Sequence, residues 1–148
     1  MIKLWKGVCI HHSESQRFTT AEEIDQWHRE RTKPFRCIGY HFCVRQPTDR
    51  SKPEVIDCAR FGRTLNDSGA HARGHNSTHI GICLIGNFNK RPPTDDMLTV
   101  TAELIRNLFE CGCLVAYSDG PVVQGHRDLN DTDCPGKQFD LERLRRLV

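Results

Sequence analysis

Six consecutive residues, Ile80-Gly81-Ile82-Cys83-Leu84-Ile85, carry no polar side chain. A strand turns successive residues to opposite faces, so a run that is apolar at every position must be covered on both sides. That makes it a central strand with a layer packed on each face, and the remaining chain contains what such a strand needs. Two more runs, Gly7 to Ile10 and Pro121 to Gln124, read as strands, and each leads into histidine: His11-His12 in one case, Gly125-His126 in the other. Ile38 to Arg45 and Val55 to Phe61 are further strand candidates, separated by turn residues Pro47, Asp49 and Pro53.

The helical layers are equally visible. Thr20-Ala21-Glu22-Glu23 is a capping-box pattern, and Ala21, Ile24, Trp27 and Arg31 fall along one face, predicting a helix from Ala21 to about Arg31 packed on the sheet. After Pro92-Pro93-Thr94, the residues Met97, Leu98, Thr101, Leu104, Ile105, Leu108 and Phe109 recur at three and four, and Gly112 stops the run. Asp140 is placed to cap a short last helix with Leu141, Leu144 and Leu147 turned inward. Strands and helices alternate without repeat or linker. The expected fold is α/β, one domain over residues 1–148 with its core at roughly 7–144, built on a mixed central sheet flanked by helices.

Composition excludes several classes. A net charge of +2 does not suit a dedicated nucleic-acid binder, and the Arg143, Arg145, Arg146 cluster reads as a solvated helix face. No stretch approaches the ~18 apolar residues of a membrane span. Met1 to Ile10 lacks the apolar core and cleavage site of a signal peptide, so synthesis without one in a cytoplasm is expected. Of the eight cysteines, Cys9, Cys43, Cys58 and Cys83 lie inside apolar runs and read as core thiols. Cys37 and Cys43 flank one predicted strand and would stand about 20 Å apart at ~3.3 Å per residue, too far to bridge.

Chemistry gathers at the ends of the two histidine-tipped strands. In Gly125-His126-Arg127-Asp128-Leu129-Asn130-Asp131-Thr132-Asp133-Cys134-Pro135-Gly136 seven residues separate a histidine from a cysteine pinned by Pro-Gly. Imidazole and thiolate are strong Zn²⁺ ligands, and a site that does chemistry needs a third ligand and an open position for water. His11 or His12 is the third; adjacent strand residues face opposite ways, so only one of them reaches the ion. Asp128 is a candidate partner for a ligand histidine or a simple turn residue. The long Leu65 to Ser77 stretch, with Gly69, Gly74 and two histidines, has the character of a binding-site wall.

His11, then Gly39-Tyr40-His41-Phe42, Gly69-Ala70-His71-Ala72-Arg73-Gly74-His75-Asn76, the Ile80 to Gly86 run and the His126 to Cys134 loop together resemble the type-2 zinc N-acetylmuramoyl-L-alanine amidases, over roughly residues 7 to 144. That family includes small phage lysozymes of the T-seven type and the peptidoglycan recognition proteins. The resemblance implies a zinc site at the sheet edge in a surface groove, with one Zn²⁺ per chain held by His11, His126 and Cys134. It implies Tyr40 and Thr132 as catalytic residues and His71, His75 and Asn76 as groove-lining, substrate-binding residues. Thr132 stands where the phage lysozymes carry lysine, with Arg127 and Lys137 the nearest cations in this loop.

The implied activity is hydrolysis of the amide between N-acetylmuramic acid and L-alanine in peptidoglycan, as an endolysin acting on the host periplasmic cell wall after release. The alternatives are a non-catalytic peptidoglycan-binding module, whose members usually lack the cysteine ligand, and a cytosolic muropeptide-recycling amidase. Bacterial peptidoglycan or muropeptides are the expected partners of a monomer. A phage RNA polymerase is a further partner that the resemblance suggests, testable by pull-down from infected cells.

Overall fold

The computed structural model describes residues 2–47, 51–117 and 120–148. In it, β1 (Gly7–His12), β2 (Phe42–Arg45), β3 (Glu54–Asp57), β4 (His79–Leu84) and β5 (Val123–Gly125) form one sheet in the order β3-β2-β4-β1-β5. All neighbours are parallel except β2 with β3. The sheet is therefore mixed, as expected, and the continuously apolar run is its middle strand.

Period-two geometry divides the side chains between two layers. Val8 and Ile10 of β1, and Ile80, Ile82 and Leu84 of β4, face α2 (Asp95–Glu110) and the last helix. Cys43 of β2 and Cys83 of β4, with Ile85 just beyond β4, face α1 (Ala21–Arg29). Ile10, Ile80, Ile82 and Leu84 are all fully buried, and each such side chain contributes about 1.5–3 kcal/mol by leaving water. Cys9, Cys43, Cys58 and Cys83 are buried free thiols, the role expected of them.

The caps hold the helices where the sequence put them. Thr94 Oγ1 accepts from Met97 N, Thr20 Oγ1 from Glu23 N and Asp140 Oδ1 from Arg143 N, and Gly112 leaves α2 at φ +79°. A one-turn helix that the sequence reading missed, α3 (His126–Leu129), follows β5 directly, and α4 (Leu141–Leu147) closes the described chain.

Several boundaries move, each for a physical reason. Helix α1 ends at Arg29, and Trp27 is 47% exposed; the inward stripe is Ala21, Ile24, Asp25 and His28. Asp25 Oδ1 accepts from Ile38 N at 2.7 Å and His28 Nδ1 from Gly39 N at 2.9 Å, so polar side chains tie α1 to the neighbouring segment. Those same bonds consume the backbone groups of residues 38–39, which is why β2 starts only at Phe42. Cys37 accordingly lies off the strand, and the spacing argument that set it far from Cys43 loses its premise, although both remain free thiols.

The strand expected to reach Phe61 stops at Asp57, whose carboxylate accepts from Ala59 N and starts a 3-10 turn over Cys58–Phe61. Leu147 is 41% exposed rather than inward, because α4 turns only Leu141 and Leu144 to the core. Asp49 of the expected turn lies outside the described residues. No helix among those described is long and apolar enough to cross a membrane.

Candidate metal centre and cleft

Parallel β1 and β5 end side by side, with Ile10 opposite Gly125, so the residues that follow them emerge at the same end of the sheet. There one ligand atom each from His11, His126 and Cys134 lie within 4.8 Å of one another. Cys134 Sγ stands 3.6 Å from His11 Nδ1, and the His11 and His126 rings are 4.5 Å apart. His12 points to the opposite face, where its Nδ1 accepts from Phe88 N. Its backbone N–H meets the Cys134 sulfur instead.

Cys9, His11 and His71 also come within 4.8 Å, but in that trio both Cys9 and His11 are buried. His126 and Cys134 are half-buried at the surface. Burial, with Asp133 and Glu14 adding negative charge nearby, pushes the Cys134 thiol up to about 12. Burial also lowers His11 well below its ordinary value and lowers His126, so both imidazoles are neutral donors near neutral pH.

The imidazole nitrogens that face away from this centre are engaged. His11 Nε2 lies 2.9 Å from His71 Nδ1, and His71 Nε2 lies 3.1 Å from the His79 carbonyl. His126 Nε2 lies 2.9 Å from Asn130 Oδ1. Asn130, four residues on from His126 across α3, is a partner that sequence reasoning missed; the one-turn helix that aligns the two was the absent signal. Asp128 does not meet the His126 ring: its carboxylate accepts from Gly125 N at 2.8 Å and pairs with Arg145.

Beside the centre opens a cleft of about 580 Å³. Tyr40, Asn76, Thr132, Phe35, Arg31 and Arg73 line it, along with His71 and His126. The Tyr40 ring is 5.0 Å from that of His11, and burial together with the neighbouring Cys83 thiol raises the phenol well above its ordinary value, so it keeps its proton. Thr132 Oγ1 accepts from Cys134 N at 3.2 Å, leaving the hydroxyl hydrogen unassigned to that bond. Asn76 uses Oδ1 on the backbone N–H groups of His71 and Ala72. The His75 ring packs on His79 at 5.4 Å and does not line the cleft.

Arg127 is occupied, donating to the Gly136 and Phe139 carbonyls and thereby holding the Cys134 loop in place. The cations that reach the cleft are Arg31 and Arg73, from sequence-distant segments.

The remaining histidines are satisfied structural groups. His41 accepts from Gly81 N and donates to the Asp67 carbonyl, and His79 meets Gln124. Burial lowers His28 and His41 to about 4 and His71 to about 3. An unfolded chain takes these protons near pH 6.5, whereas the fold takes those of His28 and His41 only at about pH 4 and that of His71 at about pH 3. Below pH 6.5 the unfolded state binds more protons, so stability is complete above that pH and is lost as pH falls through the folded values. The melting temperature of the metal-free protein should hold above pH 7 and fall steadily between pH 6.5 and 4; a flat profile across that window would contradict this account.

Comparison with known proteins places the chain in context. The sequence profile described as N-acetylmuramoyl-L-alanine amidase matches residues 3–137. An endolysin of Klebsiella phage KP32 is 32% identical over 122 residues, 82% of this chain and 71% of that protein. Peptidoglycan-recognition protein SC2 of Drosophila melanogaster is 37% identical over 131 residues, 88% of this chain and 60% of that protein. Among solved structures, the N-acetylmuramoyl-L-alanine amidase LysC of Clostridium intestinale superposes with a TM-score of 0.78 at 28% identity, covering 97% of this chain and 85% of that one.

Proposed function

The chain belongs to the N-acetylmuramoyl-L-alanine amidase family, and on that premise we propose that it is an endolysin-type peptidoglycan hydrolase in which His11, His126 and Cys134 hold one zinc ion. The observation that carries the reading is the convergence of those three ligand atoms within 4.8 Å beside an open cleft.

The donor set suits zinc. A Zn–S bond of about 2.3 Å and a Zn–N bond of about 2.0–2.1 Å across a tetrahedral angle separate sulfur and nitrogen by about 3.6 Å. Cys134 Sγ and His11 Nδ1 have that separation. Two neutral imidazoles and one thiolate leave a fourth position, and the bound ion supplies an activated water and a Lewis acid for the amide carbonyl.

The chain's own residues do the rest. Tyr40, protonated at neutral pH, donates to the carbonyl oxygen as it gains negative charge, and Thr132 offers a second hydroxyl in the cleft. Water adds its oxygen to the lactyl carbonyl, the C–N bond breaks, and the L-alanine amine leaves with a proton. Arg31 and Arg73 on the cleft wall suit the carboxylates of a stem peptide. Asn76 shapes the wall through its grip on the backbone of His71, which also lines the cleft, while His75 packs on His79.

Mass spectrometry of products from intact sacculi, with and without a strong chelator, tests the reading. Expected are stem peptides beginning with free L-alanine, glycan chains keeping their lactyl groups, about one zinc per chain, and no product after metal removal. Peptides still amide-linked to muramic acid, or full activity in metal-free protein, would end it. Binding of muropeptides without any cleavage would instead support the recognition-module alternative.

A further inference from the structure

We propose that His71 and Asn130 are positioning residues that set the tautomer of the two ligand histidines, and that both take their instruction from backbone carbonyls of the segment that leads into β4, those of Arg73 and His79. The inference rests on the assignment of His11 and His126 as ligands. It concerns which nitrogen of each ring is left free to bind.

A carbonyl oxygen only accepts hydrogen bonds. The His79 carbonyl, 3.1 Å from His71 Nε2, therefore fixes the hydrogen on that nitrogen. A neutral His71 then has a bare Nδ1, which accepts from His11 Nε2–H across 2.9 Å. The alternative, a doubly protonated His71 donating to His11, would bury a cation directly behind the metal centre, which is costly without a counter-charge. His11 is thus held with hydrogen on Nε2 and a lone pair on Nδ1, the atom that stands 3.6 Å from Cys134 Sγ.

The second ligand repeats the logic with different residues. The Arg73 carbonyl accepts from Asn130 Nδ2 at 3.1 Å, which settles the orientation of that amide. Asn130 Oδ1 must then face His126 Nε2 and accept its hydrogen at 2.9 Å. His126 too keeps its lone pair on Nδ1. Two carbonyls six residues apart, that of Arg73 in the loop before β4 and that of His79 at the start of β4, thus dictate the hydrogen position on two ligands that come from opposite ends of the chain.

The loop is built to hold that geometry. A Cβ on Gly81 would come within 2.5 Å of the His71 ring, and one on Gly69 within 2.3 Å, so the imidazole lies in a slot that only two glycines leave open. Asn76 Oδ1 clamps the backbone N–H groups of His71 and Ala72 at 2.7 and 2.9 Å. Both nitrogens of His71 are committed, which leaves its ring no nitrogen with which to bind substrate even though it lines the cleft.

The test reads protonation directly in metal-free protein, by long-range ¹H–¹⁵N correlation of ¹⁵N-histidine samples, and zinc affinity separately by competition with a chromophoric chelator. Wild-type protein should show His11 and His126 with hydrogen on Nε2 and a bare Nδ1. His71→Phe and Asn130→Leu should each give mixed tautomers at the one ligand they face and weaken zinc binding by about 10- to 100-fold. His71→Asn, which can set an oxygen where Nδ1 was, and Asn130→Asp, which keeps the acceptor, should restore the tautomer and most of the affinity.

Unchanged tautomers in both His71→Phe and Asn130→Leu, or a wild-type ligand ring with hydrogen on Nδ1, would overturn the proposal. If His71→Phe does not fold, the Asn130 pair decides, since that side chain sits half-buried at the cleft rather than in the core. Neither readout needs wall hydrolysis, so a failed amidase assay would leave this result standing, and the reverse also holds.

Discussion

Changing Cys134 to serine should empty the metal site and stop hydrolysis. Serine places a hydroxyl near where the sulfur was, but that hydroxyl is not ionised at neutral pH, so the site loses both a charge and its one soft donor. Two imidazoles alone do not hold zinc tightly, and stoichiometry should fall from about one per chain to near zero, with turnover below about one hundredth of wild type. The cleft wall formed by the 69–76 segment does not depend on the sulfur, so muropeptide binding should survive in part.

Cys9→Ala is the decisive control, because Cys9 lies with His11 and His71 in the rival cluster of potential ligands. It should keep zinc near one per chain and cost only packing stability. An active Cys134→Ser enzyme, or a Cys9→Ala protein without metal, would overturn the ligand assignment. Wild-type binding should also release at least one proton per zinc at pH 7.5, since the Cys134 thiol is protonated before the metal arrives while the two imidazoles are already neutral, with the activated water adding a further fraction.

Tyr40→Phe should separate chemistry from architecture. The phenyl ring keeps its contacts with His11 and His28, at 5.0 and 5.5 Å between ring centres, so fold and zinc content should be unaltered. Only the hydroxyl is lost, and with it a donor that stays protonated because burial and the Cys83 thiol oppose its ionisation. If that donor acts chiefly in the transition state, kcat should fall about a hundredfold with KM little changed. Turnover equal to wild type in a zinc-loaded variant would return Tyr40 to a packing role.

Much of this molecule was legible in one dimension, where the signal is local and repetitive. A run apolar at every position demanded a strand covered on both faces, and Ile80 to Leu84 became the middle of the sheet. Threonine and aspartate at helix starts, together with glycine after α2, marked helix ends because capping is satisfied within three or four residues. The histidine-tipped strands, the His126 to Cys134 spacing and the family resemblance pointed to His11, His126 and Cys134 as a group, and the fold brings one ligand-type atom of each within 4.8 Å of the others.

What the sequence could not supply is everything decided by partners far along the chain. The start of β2 was set by Asp25 and His28 reaching across from α1, which no periodicity within residues 38–45 records. That His11 turns toward Cys134 while His12 turns to Phe88 depends on which face of β1 looks toward α1 and which toward α2; strand alternation alone left the pair open, and only the family resemblance pointed to His11. Arg31 and Arg73 became cleft cations only when the fold brought their segments together. The hydrogen positions on His11 and His126 depend on carbonyls of Arg73 and His79, 57 residues from Asn130 and 8 from His71. Residue identity is written locally, whereas the direction of a side chain and the state of its protons are fixed by whatever the tertiary structure sets against it.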